Sequence, residues 1–347
     1  MLNRQSGGLI WTDLWAIFVQ ILPVKHVTIL VPNGNPHMSS IAGSFEILTR
    51  AESYWRRMGN KPVMEVHLAG FITEPKSTTG FFSVDPEDIR DIKKTDLLII
   101  PSLGNDYENA IRKNTELINW INIQYKTGAE MASICTGAFL LAATGLLKGK
   151  TCSTHWNAVS DFRRLFPDID LQADKLLTVE KGIYTNGGAY SFLNLILFLV
   201  EKYFDRETAI YCSKVFQIDF DRDSQSPFSI FQTQKNHGDD LICRAQNYIE
   251  ENLTEKISFE QVASRLAISR RNFDRRFIKA IGNTPVEYLQ RVKVEVAKRI
   301  LEKGRKSIFE VMNEVGYSDD KAFREVFKKI TGLSPLDYRA KYNKEPA

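Results

Sequence analysis

The chain has little cysteine and no paired cysteine motif. Its 347 residues include four cysteines, at positions 135, 152, 212 and 243, and none belongs to a Cys-x-x-Cys pair. A secreted disulfide framework would need more cysteines in a regular spacing. Histidine is also scarce, and His26, His37 and His67 have no second ligand at the spacing of a metal site. We therefore expect no metal, no cofactor and a location in the reducing cytoplasm.

A hydrophobic run long enough to cross a membrane is missing from the start of the chain. The run from Leu14 to Leu22 is too short to span a bilayer. As a signal peptide it is poor, because Asp13 interrupts it and no small-residue cleavage site follows. We expect no membrane partner and interpret residues 1–24 as a loosely attached N-terminal extension.

A strong charge of one sign is absent too. The net charge is +4, and the surplus lies from His237 onward, where 22 Lys and Arg stand against 17 Asp and Glu. This balance suits nucleic acid and an ordinary solvated surface about equally. Charge alone therefore does not decide the function.

What the chain does contain is an internal repeat near its C-terminus. One set of residues recurs 49 positions later: Ser258, Val262, Leu266, Ala267, Ile268 and Ser269. A second set recurs at an offset of 50: Phe273, Phe277, Gly282, Pro285 and Tyr288. One residue has thus been added at the second turn. Two copies cannot form a solenoid, so a duplicated small module is the better interpretation.

Each copy has the pattern of a helix-turn-helix. Ser258–Gln261 and Ser307–Glu310 have the spacing of capping boxes, and Ser269 and Ser318 are predicted to cap the second helices. Phenylalanine pairs four residues apart place their rings on one face, so the opposite face is free for a partner. That face carries the predicted DNA-binding residues, Arg270, Arg271, Asp274 and Arg275, then Asp320, Lys321 and Arg324.

A linking helix is predicted between the copies. The segment Thr284–Glu287 supplies a cap and a proline at the first helical position, and the helix ends near Gly304. Its buried stripe is expected to be Leu289, Val292, Val296 and Ile300. Its length of about 28 Å approaches one turn of duplex, about 34 to 36 Å. Two recognition helices could therefore enter successive major grooves.

Roughly the last hundred residues resemble the AraC/XylS DNA-binding domain. The repeat, the linking helix and the ending Gly332-Leu-Ser-Pro335-Leu-Asp-Tyr338-Arg339 carry this resemblance. There is one departure: the family usually has an arginine where Arg275 stands, and the second copy has Glu325 there, with Arg324 one position earlier. The resemblance implies double-stranded promoter DNA as partner, and RNA polymerase as well if the regulator activates.

Before the repeat, the pattern alternates between strand and helix. The nearly apolar segment Asp96–Pro101 is typical of a strand in a parallel sheet covered by helices. A strand that ends at Cys135 and turns into a helix would form a nucleophile elbow, with the thiolate favoured at the helix N-terminus. His155 is a candidate base, and Gly187-Gly188 would allow close backbone approach.

Lys25 to about Phe216 resembles the class I glutamine-amidotransferase-like superfamily, in the intracellular protease/amidase and glyoxalase-like branch. The Cys135-Thr-Gly elbow, the Thr154-His-Trp segment and the Asn186-Gly-Gly-Ala stretch carry this resemblance. It implies an α/β, flavodoxin-like three-layer sandwich with a parallel sheet, followed by an all-α double helix-turn-helix domain. That combination is similar to the GlxA-like regulators. The predicted domains are residues 25–217 for sensing and dimerisation, 218–238 for a linker and 239–341 for DNA binding.

The enzymes of this superfamily support the cysteine with an acidic residue from the first helix. Here the corresponding region, His37–Ile41, contains no carboxylate. Cys135 and His155 are therefore interpreted first as a ligand-contacting or redox-sensitive remnant, while an inert role and an active pair stay open. Because ligands of open α/β sheets bind beyond the carboxyl ends of strands, the predicted ligand-binding residues are Asn33, Gly34, Asn35, Gly104, Cys135, Thr136, His155, Gly187 and Gly188.

The favoured hypothesis is a transcription regulator whose first domain forms a homodimer and senses an unknown small molecule. The alternative is a cysteine-dependent enzyme acting on small carbonyl or amide compounds, with a secondary DNA-binding domain. A third hypothesis makes the first domain a dimerisation scaffold only.

Overall fold

The computed structural model describes residues 23–71, 77–79, 82–220, 222, 224–231, 233, 235 and 237–343. Nearly all of the predicted N-terminal extension lies outside these residues. An α/β part precedes a helical part, in the order that the sequence predicts. No helix in these ranges is long and apolar enough to cross a membrane.

The α/β part is built on a seven-stranded sheet. The strands in chain order are β1 (Lys25–Leu30), β2 (Met64–Gly70), β3 (Ser77–Thr79), β4 (Phe82–Val84), β5 (Glu87–Asp88), β6 (Leu97–Ile100), β7 (Glu130–Ile134), β8 (Thr151–Cys152), β9 (Asp170–Leu171), β10 (Leu177–Glu180) and β11 (Ile183–Asn186). The large sheet has the order β10-β11-β7-β6-β1-β2-β5, and β3-β4 and β8-β9 form separate pairs. Within the large sheet only β10 and β11 are antiparallel.

Helices cover both faces of this sheet. They are α1 (Met38–Arg57), α2 (Tyr107–Lys113), α3 (Thr115–Lys126), α4 (Ala138–Ala143), α5 (Val159–Leu165), α6 (Phe192–Tyr203) and α7 (Arg206–Val215). In β6, Leu97 and Ile99 pack with α1, α6 and α7, while Leu98 and Ile100 pack on the other face with α2 to α5. The strand is buried on both faces because a parallel sheet needs helices on each side. The predicted flavodoxin-like three-layer sandwich is confirmed.

The helical part contains two cores joined by one helix. Its helices are α8 (Asp240–Glu251), α9 (Phe259–Arg265), α10 (Arg270–Ile281), α11 (Pro285–Lys303), α12 (Ile308–Glu314), α13 (Asp320–Thr331) and α14 (Pro335–Tyr342). The first core includes Phe273 and Phe277, and the second includes Phe323 and Phe327. Each copy of the repeat therefore buries its own phenylalanine pair, and the predicted double helix-turn-helix is confirmed.

The linking helix α11 has the predicted length, but its predicted buried stripe is wrong in part. Of the four expected positions only Val292 is buried, whereas Lys293, Glu295 and Lys298 are nearly inaccessible. These charged residues are covered because α11 lies between both cores and the linker, and each finds a polar partner there. A one-sided helical stripe does not describe a helix that is contacted on several sides.

Two of the three predicted capping boxes and boxed starts in the helical part are complete. Thr284–Glu287 and Ser307–Glu310 form complete capping boxes. Ser258 accepts a hydrogen bond from Gln261 N, but the Gln261 side chain does not return one. The box predicted at the start of α9 is therefore only half formed.

Candidate ligand pocket and nucleic-acid interface

A strained turn at Cys135 lies at the carboxyl end of β7. The strand ends at Ile134, and Cys135 has a φ of 53°, in the left-handed region that non-glycine residues seldom adopt. A short 3-10 turn, Cys135–Gly137, precedes α4. A Cβ at Gly137 would lie 2.6 Å from Ile100 O, so the close approach of β6 requires glycine there. The backbone thus has the sharp strand-to-helix turn of an elbow.

The Cys135 thiol is buried and neutral. The residue is 3% exposed, and burial raises the pKa of the thiol above its ordinary value. Hydrogen bonds from Ser102 and Thr136 act in the opposite direction and are weaker than the effect of burial. The prediction of a favoured thiolate is wrong here, because desolvation outweighs the N-terminus of a helix only six residues long.

Thr136 and Ser102 join the two loops beside the cysteine. Thr136 Oγ1 donates to Leu103 O and accepts from Leu103 N, each at 2.8 Å. It also lies 2.9 Å from Ser102 Oγ, which in turn lies 3.0 Å from His37 Nδ1. His37 was not among the predicted ligand-binding residues. Its only sequence signal is a position directly before α1, where the missing acid would be expected.

His155 is a neutral imidazole that is hydrogen-bonded within its own turn. Its Nδ1 accepts a hydrogen bond from Asn157 N at 3.1 Å. Burial, and to a smaller extent repulsion from His37, lowers the pKa of the His155 ring. In the described part of the chain no hydrogen bond joins the Cys135 sulfur to this ring.

A carboxylate beside the cysteine is also missing from the described ranges. Ser40, in the region where the acid would be expected, donates to His37 O at 2.7 Å and accepts from Ser102 N at 3.1 Å. Its hydroxyl fixes the start of α1 and carries no charge. Among the residues described, no group of three or more His, Cys, Asp and Glu is placed to hold a metal ion. In the described ranges Cys135 thus has neither a hydrogen-bonded base nor a neighbouring carboxylate, the two groups that activate the nucleophile of a cysteine hydrolase.

Other predicted ligand residues line a separate cavity of about 230 Å³. The predicted residues in its wall are Asn33, Gly34, Asn35 and Gly104. Gly104 N donates to Asn35 O at 3.0 Å, which holds the two loops together. The wall also contains Asp106 and Lys113, so both signs of charge face the cavity. Cys135, His155 and the glycine pair do not line it, and the predicted pocket is thus divided into two groups.

Gln225, from the predicted linker, fills the space next to Gly187. The residue is 2% exposed, and a Cβ at Gly187 would overlap its amide group. The amide makes hydrogen bonds to Thr154 O at 2.9 Å, Ala173 O at 2.7 Å and Trp156 N at 3.1 Å. Thr154 and Trp156 are the neighbours of His155 in sequence. The Gln225 side chain, which comes from the linker, therefore holds the turn that contains His155. The sequence gave no signal of this role, because Gln225 is one of many polar residues in the predicted linker.

The linker then contacts the helical domain. The contacts are Tyr342 Oη to Pro227 O at 2.9 Å, Lys298 Nζ to Ser229 O at 2.6 Å and Phe231 N to Glu295 Oε2 at 3.1 Å. Lys298 and Glu295 also form a buried ion pair at 2.8 Å. Residues 225–231, which we call the linker clasp, therefore connect the turn at His155 to α11, the helix between the two helix-turn-helix motifs.

Both helix-turn-helix motifs turn at a residue with positive φ. The angle is 55° at Ala267 and 72° at Gly316, which are corresponding positions of the repeat. Ser269 caps α10 as predicted, but α13 is capped by Asp319, so the prediction of Ser318 is wrong. The added residue shifts the cap by one position, which keeps the offset of 50 from Ser269.

Part of the outer face of α10 is occupied by ion pairs. Arg270 Nε lies 2.9 Å from Asp274 Oδ1, and Arg270 Nη1 lies 2.6 Å from Glu260 Oε1. Arg275 is exposed and donates a hydrogen bond to Asn272 Oδ1 at 3.1 Å. Arg275 therefore remains available to an external partner, whereas Arg270 and Asp274 satisfy each other.

The outer face of α13 has the same layout with the charges reversed. Arg324 Nε lies 2.7 Å from Asp320 Oδ2, one turn away. Lys321 and Glu325 are exposed, as Arg271 is at the equivalent place on α10. Of the predicted DNA-binding residues, the exposed ones outside ion pairs are thus Arg271, Arg275 and Lys321.

Comparison with known proteins finds two separate matches along the chain. Residues 262–341 match the family model of a helix-turn-helix domain, and residues 60–202 match the DJ-1/PfpI family. The HTH-type transcriptional regulator GbdR of Pseudomonas aeruginosa is 24% identical over 65% of this chain and 61% of its own length. The regulator CdhR of the same species is 22% identical over 72% and 73%.

One solved structure adds to these relatives. A candidate transcriptional regulator protein from Vibrio parahaemolyticus is 27% identical, with a TM-score of 0.50, over 56% of this chain and 99% of that one. Site and fold together define a two-domain protein, a DJ-1/PfpI domain followed by an AraC-type helix-turn-helix domain. In this organisation the chain is similar to GbdR and CdhR, which are transcriptional regulators. It matches about three fifths of the length of GbdR.

Proposed function

We propose that this chain is a sequence-specific DNA-binding transcription regulator controlled by a small polar metabolite bound in its DJ-1/PfpI domain. The observation that carries the proposal is the pair of recognition helices at the two ends of α11. That rod has 19 residues, so it is about 28 Å long, close to the spacing of successive major grooves, about 34 to 36 Å. Exposed charged residues occupy equivalent positions on both helices.

The proposal also assigns a role to each part of the chain. Residues 25–217 sense the metabolite and join two chains into a homodimer. Residues 218–238 link this domain to residues 239–341, which bind promoter DNA. The regulator works in the cytoplasm, and it contacts RNA polymerase if it activates transcription. Sedimentation of the full chain tests the dimer.

The linker clasp offers a path from the metabolite to the DNA. A ligand beside Cys135 or Gly187 would displace the turn that Gln225 holds, and the clasp would pass this movement to α11. The clasp borders a cleft of about 1190 Å³ between the domains, whose walls include Arg163 and Arg291. Burial, and to a smaller extent repulsion from Arg291, lowers the pKa of Arg163, whereas attraction to Asp174 acts in the opposite direction. A coupling of about 1 to 3 kcal/mol is typical of such linkage.

Selection from randomised DNA tests the proposed function. The full chain is incubated with a library of random duplexes, and promoter DNA is then footprinted with and without metabolite extracts. We expect one enriched sequence with two contacted segments about one helical turn apart, and an extract that changes the protection. If no sequence is enriched above the library, the regulator proposal is wrong.

The alternative function is a cysteine-dependent enzyme, which kinetics on the full chain can test. We expect no meaningful turnover of glyoxal-type or amide substrates, because the Cys135 thiol is neutral and the described site holds no acid beside His155. Steady-state rates are measured with Cys135→Ala as the control. A kcat of about 1 s⁻¹ or more that disappears in the control would establish the enzyme instead.

A further inference from the structure

The two recognition helices differ at one exposed position. At the offset of 50 that relates their phenylalanines, Glu325 on α13 corresponds to Arg275 on α10. Each lies two residues from both phenylalanines of its helix, which places it opposite the buried face. Corresponding points on the outer faces of the two helices therefore carry a guanidinium in one motif and a carboxylate in the other.

Neighbouring charges do not neutralise Glu325. Arg324, the nearest cation in sequence, is held by Asp320 at 2.7 Å. Lys321 is one turn away, and no ion pair between it and Glu325 forms within 4.0 Å. Among the residues that the structure describes, none forms a hydrogen bond or an ion pair with the Glu325 side chain. Its oxygens are thus available to an external donor.

DNA offers such a donor only on its bases. The phosphates are acceptors and carry negative charge, so they repel a carboxylate. In the major groove, cytosine presents its N4 amino group as a donor, and Glu or Asp is the side chain that accepts from it. An arginine at the equivalent place accepts nothing and pairs with guanine O6 and N7.

We propose that Glu325 is a specificity-determining residue that accepts a hydrogen bond from the N4 amino group of a cytosine. The inference rests on the proposed DNA-binding function. It means that the two motifs read different bases, guanine under Arg275 and cytosine under Glu325. The two DNA half-sites contacted by one chain then have different sequences. One chain therefore binds its site in one orientation only.

The test is selection of randomised duplexes by the full chain, by three single variants and by one control variant. The wild type should enrich cytosine at one position of the second half-site, with a preference of about 5- to 150-fold over other bases. Glu325→Ala should lose this preference, and Glu325→Arg should change it to guanine on the same strand. Lys328→Ala on the same helix is the matched control and should leave every base preference unchanged.

The outcomes separate the inference from the function on which it rests. If Glu325→Ala enriches the same base with the same strength, or binds all sequences tighter by one factor, Glu325 is only a repulsive surface charge and the inference is wrong. Arg275→Ala is the third variant and should affect the first half-site alone. If the wild type enriches no sequence, both the inference and the DNA-binding function are wrong. Thermal unfolding of each variant confirms that the exposed substitutions leave the fold intact.

Discussion

Arg275→Ala is expected to weaken binding to the selected DNA site by about 1 to 3 kcal/mol and to relax the preference at one base pair. The guanidinium is exposed on the outer face of α10, opposite the buried Phe273 and Phe277. Among the described residues its one side-chain hydrogen-bond partner is Asn272, at 3.1 Å. A bidentate pair with guanine would replace this single hydrogen bond. The measurement is an equilibrium titration of the selected duplex and of its single-base variants.

Lys279→Ala is the matched control, because it removes one positive charge from the same helix. Lys279 is exposed near the C-terminal end of α10 and borders the cleft between the domains. We expect it to leave base preference unchanged. Equal weakening of Arg275→Ala on the selected duplex and on random duplex would show that Arg275 contacts phosphate only.

Gln225→Ala is expected to abolish most of the response to the metabolite, a loss of about 5- to 150-fold in coupling. The substitution leaves Thr154 O, Ala173 O and Trp156 N without their partner. The turn at His155 is then no longer tied to the linker clasp. DNA affinity without metabolite should be unchanged, since α10 and α13 keep their caps and cores. DNA affinity measured with and without the active extract gives the coupling.

Coupling is reciprocal, so the same prediction has a readout that needs no metabolite. Adding the selected duplex to the wild type should change hydrogen exchange of the amides in residues 154–156, and Gln225→Ala should remove that change. Ser229→Ala is the control, because its hydroxyl contacts only Ser226 O and the clasp backbone stays intact. A full metabolite response in Gln225→Ala would mean that the signal takes another path.

The helical domain was largely predictable because its signals are local. A cap, a turn residue and two phenylalanines four positions apart each depend on neighbours within one helix or turn. Two of the errors in this domain have local causes too. The added residue moved the α13 cap from Ser318 to Asp319. At the start of α9, Ser258 and Gln261 have the spacing of a capping box, but the Gln261 side chain makes no hydrogen bond to the Ser258 backbone.

The candidate ligand site was less predictable because its properties depend on distant segments. The sequence predicted a sharp turn at Cys135, and the turn is present. The pKa of the thiol depends on how completely other elements cover it, and no local pattern contains that information. The same holds for His37, which meets Ser102 across 65 positions of sequence.

By itself, the sequence determined the order of an α/β domain and a duplicated helix-turn-helix, because periodicity and capping are properties of short segments. Tertiary structure decided which charged partners come from other elements. Glu260 of α9 binds Arg270 of α10, whereas Arg275 and Glu325 remain exposed. It also decided that Gln225 reaches across 71 positions to Thr154. Such contacts depend on how whole elements pack, since a buried polar group must find its partner wherever the fold places one.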